Sequence, residues 1–294
     1  PGLGICFCPV VRSRATSPES AATCTGLVSC ERRSLKILAV ASAKGGVGKT
    51  TLTANLAAAL QRLGMQTVLV LDLDPQNALA LHFGGDPQSL SGVSRATLTG
   101  QSWGAVCTRS PSGVHVLPYG LVNEADRIAY ERHLEAHPDW ITQQLQSLDL
   151  PPDAVVLIDT PPGPSVYMQQ ALTAAHVAVL VSLPDAASYA ALALMQRLVA
   201  TYCEPRADFS KTLYVLNQVD GARQLSKDIT RLMQDDLGAR LIGVVHEDQA
   251  VREALASDLS VLDYDPHGQA TDDLGQCALK LIESVGLTPL GTLQ

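Results

Sequence analysis

The chain has 294 residues, of which 46% are hydrophobic and 4% aromatic, and it carries a formal net charge of −8. That is enough apolar material for one domain of about 250 residues with a sizeable core. The acidic balance offers no overall basic field for nucleic acid, and no apolar run reaches the roughly 18–20 residues that cross a bilayer.

Residues 1–33 hold four of the seven cysteines (Cys6, Cys8, Cys24 and Cys30) among many Ser, Pro and Arg, without periodicity or a long apolar run. They read as a disordered or non-native extension, outside the fold. Cys107, Cys203 and Cys277 stand singly, so the cysteines read as reduced thiols rather than a disulfide framework. The domain is expected over 34–287, with a short tail at 288–294.

From Leu35 the pattern turns regular. Residues 35–40 predict a buried strand that runs into the glycine-rich segment Lys44-Gly45-Gly46-Val47-Gly48-Lys49-Thr50-Thr51. Residues 51–63 predict an Ala/Leu-rich helix closed by Gly64, and 67–71 a second strand leading to Asp72-Leu73-Asp74-Pro75-Gln76. This succession is a βαβ unit. A less regular stretch follows, with a short helix near 91–99 and an edge-type strand at 114–118. Helical material covers about 124–148. The apolar strand 154–158 ends at Asp159, before Thr160-Pro161-Pro162-Gly163. Strand 177–183, helix 185–201, strand 213–217, helix 224–236, strand 240–245, helix 247–256 and a last helix at about 270–285 continue the alternation. The expected fold is α/β, a doubly wound and mainly parallel sheet with helices on both faces.

The chemistry gathers at strand ends. Glycines 45, 46 and 48 let the backbone wrap a phosphate, with a helix N-terminus behind it. Lys49 is placed to reach the β- and γ-phosphates of a nucleotide and Thr50 to supply a hydroxyl to Mg²⁺. Asp72 and Asp74 end a strand on the side where open α/β sheets bind ligands, and their alternation forbids both from facing the same way. Asp159, closing an apolar strand, is the expected Walker B residue for holding Mg²⁺ through water. The loop departs from the ordinary phosphate-loop pattern at two places: position 43 is alanine, and position 44 is a second lysine.

That second lysine makes the loop resemble the deviant Walker A loop of MinD/ParA ATPases. The resemblance implies a homodimer with ATP bound, in which Lys44 reaches the partner's phosphates and stabilises charge that develops during transfer. It implies that Asp74 lies in a first switch and orients the attacking water, and that Thr160–Gly163 is a second switch that responds to the γ-phosphate. It also implies that the Asn217 amide reads the adenine edge. The family's usual Ile-Pro after the next strand is replaced here by Val244-Val245-His246-Glu247-Asp248.

Val114–Gly120, His246–Ala256 and Tyr264 further resemble the BcsQ group of MinD-like proteins. That implies protein partners in the cellulose secretion machinery and a cytoplasmic chain recruited to the inner membrane through them. Slow ATP hydrolysis is expected because Lys49, Thr50, Asp74 and Asp159 are all in place. A partitioning ATPase that binds DNA non-specifically is the alternative, but it needs surface cations; direct DNA binding is not expected of so acidic a chain. A division-site ATPase needs a basic amphipathic C-terminal helix, and residues 274–285 hold a single lysine. A small-molecule kinase or amidoligase would not need Lys44, and a non-hydrolysing scaffold would not need the full set Lys49, Thr50, Asp74 and Asp159.

Overall fold

The computed structural model describes residues 35–289. The extension expected at 1–33 with its cysteines, and the tail from 290 onward, lie outside these residues. In chain order the elements are β1 (Lys36–Ala41), α1 (Lys49–Arg62), β2 (Val68–Asp72), α2 (Val93–Thr99), β3 (Thr108–Arg109), β4 (His115–Leu117), α3 (Glu124–Ala136), α4 (Trp140–Ser147), β5 (Val155–Asp159), α5 (Val166–Ala174), β6 (Val177–Ser182), α6 (Ala186–Tyr202), β7 (Lys211–Val219), α7 (Gln224–Leu237), β8 (Leu241–His246), α8 (Ala250–Ala256), α9 (Val261–Tyr264) and α10 (Gln269–Val285).

One eight-stranded sheet runs in the order β3-β4-β2-β5-β1-β6-β7-β8. Every pairing is parallel except β3 with β4. A parallel sheet must be covered on both faces, and strand alternation divides the core accordingly. Ile37, Ala39 and Ala41 of β1 join one apolar layer with Tyr130, Ile141, Met168 and Met195. Leu38 and Val40 join the other with Leu52, Leu56, Leu274 and Leu281. Leu38 and Leu157 are fully buried; truncating either to alanine costs about 3–4 kcal/mol from lost burial and the cavity left behind.

The structure refines the sequence expectations in several places, and β3 and α9 have no counterpart in them. The strand around 115 is not the edge of the sheet, because the two-residue β3 pairs outside it. The helical stretch at 124–148 is two helices, parted at His137-Pro138-Asp139, where proline disfavours helix in the residue before it. Helix α5 has no counterpart in the sequence reading. Its Tyr167, Met168, Gln170, Ala171, Leu172 and Ala174 are buried. Because a glutamine is among them, its amide donating to the Leu134 and His137 carbonyls, the apolar positions do not trace the buried face.

Strand β1 lies between β5 and β6, with successive crossovers leaving to opposite sides. Open α/β sheets bind ligands at the carboxyl ends of strands at such a reversal. The glycine loop leaves β1 there, and Asp159 sits next to it, in register with Val40 of β1 and with Asp72 of β2.

Candidate functional site

The loop from Ser42 to Gly48 is shaped by left-handed glycines, Gly46 at φ 76° and Gly48 at φ 79°. A Cβ on Gly48 would stand 2.5 Å from Asn217 Nδ2, so glycine is required there for space as well as for conformation. Helix α1 starts at Lys49, and no side chain caps its N-terminus. Its first amides thus remain available for an anion.

Behind the loop lies a buried charged group. Lys49 is 6% exposed and Asp159 fully buried. The Thr50 hydroxyl donates to Asp159 Oδ2 at 2.6 Å. Asp159 Oδ1 is buried with no hydrogen-bond partner. Burial pushes the Asp159 carboxyl up, opposed by the Thr50 hydroxyl and Lys49 and reinforced by Asp74. Burial likewise holds the Lys49 ammonium below its ordinary value, against the pull of Asp159 and then Asp74.

Asp72 is also fully buried and raised well above the usual carboxylate range, by burial and then by Asp159 beside it. Its two oxygens accept the Asp74 amide at 2.8 Å and the Leu79 amide at 3.1 Å. Asp72 therefore fastens the loop that carries Asp74. The Asp74 carboxylate accepts the Gln76 amide at 2.9 Å, and its charge acts on both Lys49 and Asp159.

Thr160-Pro161-Pro162-Gly163 closes over the glycine loop. The Thr160 hydroxyl donates to the Val40 carbonyl at 2.9 Å and the Gly163 amide to the Ser42 carbonyl at 3.0 Å. On the other side, a cavity of about 150 Å³ is lined by Gly48, Thr51, Asn55, Asn217, Gln218 and His246, among others. Asn217 Nδ2 donates to the Val47 carbonyl at 2.8 Å.

The structure thus brings Lys49, Thr50, Asp74 and Asp159 together. Lys44 turns elsewhere: its ammonium lies 3.4 Å from both Asp185 Oδ1 and Ser188 Oγ. Asp185 caps α6, accepting the Ser188 amide at 2.7 Å and the Ser188 hydroxyl at 2.8 Å. Burial works to raise the Asp185 carboxyl, but Ser188 and then Lys44 outweigh it and hold it below the ordinary value. Sequence reasoning did not find Asp185, Ser188 or Gln218. The first two carried one signal, an Asp-x-x-Ser cap directly after a strand.

These residues fit a phosphate chain with a divalent cation. The unpartnered Asp159 oxygen beside the Thr50 hydroxyl is suited to the metal, because Thr50 can donate to Asp159 while presenting an oxygen lone pair. Buried Lys49 and the uncapped α1 amides suit the anion.

Fold and site together define a P-loop ATPase-type chain of the MinD/ParA class. Among solved structures, MinD complexed with Mg-ADP from Pyrococcus horikoshii has a TM-score of 0.70 at 23% identity, covering 86% of this chain and 98% of that one. The family model for cellulose biosynthesis protein BcsQ matches residues 35–282, and the chain belongs to that family. BcsQ of Escherichia coli is 29% identical over 261 residues, 88% of this chain and 99% of its own length. The chromosome-partitioning ATPase Soj of Thermus thermophilus is 32% identical over 220 residues, 73% of this chain and 82% of its own.

Proposed function

We propose that this chain is an ATP-dependent dimerisation switch that helps assemble or localise a cellulose secretion complex. The observation that carries the nucleotide reading is the buried cluster Lys49–Thr50–Asp159, with one carboxylate oxygen left for a cation.

In this reading residues 44–51 cradle the triphosphate, Lys49 binds its β- and γ-phosphates, and Thr50 and Asp159 hold Mg²⁺. The metal supplies charge neutralisation at the phosphates. Asp74, on the loop that Asp72 fastens, orients the attacking water. The Asn217 amide, at the 150 Å³ cavity, meets the base. Lys44 leaves Asp185 and reaches the nucleotide of a second copy, so that ATP holds two protomers face to face and slow, partner-stimulated hydrolysis releases them. Phosphoryl transfer gains most from such placed positive charge.

The cellulose role rests on family membership, and the net charge of −8 favours protein partners over DNA. No helix among the described residues is long and apolar enough to cross a membrane. In this reading a cytoplasmic chain reaches the inner membrane through those partners. The test is co-purification of the ATP-loaded chain with the cellulose synthase subunits of its own cell, compared with retention on duplex DNA or liposomes. Capture by the synthase alone supports the role, and retention on DNA at physiological salt replaces it with a partitioning one.

A further inference from the structure

Asn217 and Gln218 are consecutive in β7, and on an unbroken strand their side chains would point to opposite faces. Here both reach the same loop. Asn217 Nδ2 donates to the Val47 carbonyl at 2.8 Å, and Gln218 Nε2 donates to the Gly46 carbonyl at 3.2 Å. The cause is a bulge. Leu216 pairs with Val244 and Val219 with His246, which leaves β7 one residue longer than β8 over this stretch. Within it Gln218 is left-handed at φ 55°. That conformation destabilises a non-glycine residue unless its surroundings hold it. Were the bend the sole task of this position, glycine would serve better.

Peptide geometry supplies the consequence. The described residues contain no cis peptide bond, and in a planar trans peptide the C=O and N–H point in opposite directions. With the Gly46 and Val47 carbonyls drawn to β7, the Val47 and Gly48 N–H groups face away from it. The left-handed glycines on either side of Val47 are the residues that let successive amides converge on an anion.

We propose that Gln218 is a positioning residue for the phosphate loop, which together with Asn217 fixes two consecutive peptide planes so that their N–H groups meet the phosphates before nucleotide arrives. This rests on the nucleotide reading above and adds a residue to it.

The experiment is equilibrium binding of a fluorescent ATP analogue (MANT-ATP with Mg²⁺) to the full chain, beside the melting temperature of the nucleotide-free protein. Gln218→Gly relieves the backbone and removes the amide. Gln218→Asn also tolerates the left-handed region but falls one methylene short of Gly46. Both variants are expected to melt at or near the native temperature and to bind about three- to tenfold more weakly, the effect of one lost hydrogen bond. The KM for ATP rises in step while kcat holds. Native-like affinity in both variants overturns the proposal, whatever their melting temperatures. If the native chain fails to bind MANT-ATP, the nucleotide reading falls and this inference falls with it.

Discussion

Lys44 Nζ lies 3.4 Å from Asp185 Oδ1, on the carboxylate that also caps α6 through the Ser188 amide. The lysine assigned to a partner's nucleotide is thus tethered within its own protomer. The two side chains are 38% and 43% exposed, and a solvent-screened pair of this kind is worth about 0.2–1 kcal/mol. The tether is weak enough for a triphosphate to displace.

Asp185→Asn tests that balance. Asparagine caps a helix as well as aspartate does, so the melting temperature should move little. Removing the charge frees Lys44 in both protomers, and the ATP-dependent dimer should tighten by about two- to thirtyfold, the equivalent of two lost pairs. Sedimentation at several protein concentrations reads the dimer constant. A weakened dimer would mean that Asp185 serves the dimer itself.

The buried acids give a pH signature. Both Asp72 and Asp159 are raised above their ordinary values, so the nucleotide-free folded chain holds more protons than the unfolded one. That stabilisation is complete below the unfolded carboxylate pKa and is lost as pH rises through the folded values. Asp159→Asn removes one acid and its repulsion on the other. Its melting temperature should therefore gain on the native one from about pH 5 to pH 8, while ATP turnover falls at least about 100-fold through loss of a metal ligand. A gap that narrows over that range would contradict the assignment.

Gly48→Ala should fail for two separable reasons. Its φ of 79° is strained for alanine, and the new Cβ would collide with the Asn217 amide. The expected loss is about 2–4 kcal/mol, read by denaturant unfolding, with nucleotide binding abolished. Gly46 is left-handed too, but a Cβ there meets nothing within 4 Å. Gly46→Ala should lose only the conformational part, about 1–2 kcal/mol.

The Tyr119 and Tyr167 hydroxyls share a buried hydrogen bond of 2.8 Å that ties the loop after β4 to α5, directly beyond Thr160–Gly163. Each change to phenylalanine should cost about 1 kcal/mol. The double variant should cost less than the sum, because Tyr167→Phe strands the Tyr119 hydroxyl. Strict additivity in denaturant unfolding would show that the bond does not couple the two segments.

The site was legible where function constrains local chemistry. Glycines 46 and 48 mark left-handed turns, Lys49 and Thr50 open a helix, and Asp159 closes an apolar strand, each a pattern visible in a few adjacent residues. Asp72 and Asp74 were half legible: alternation set them apart, but only the Asp74 and Leu79 amides show which one fastens the loop. The Lys44–Asp185 pair joins positions 141 residues apart. It depends on where two loops end, which no local pattern encodes. Gln218 was hidden because its direction follows from a bulge, whereas a strand reading assumes alternation. Strand β3, with two residues, is too short for any periodicity to register.

The most direct test is light scattering of the purified chain with Mg²⁺ and ATP, native beside Lys44→Ala, under conditions where MANT-ATP binding is verified for both. The account predicts that the native chain becomes a dimer with ATP and reverts with ADP, whereas Lys44→Ala binds nucleotide and stays monomeric. A native chain that binds ATP and remains a monomer, or a Lys44→Ala chain that dimerises as well as the native one, would contradict it.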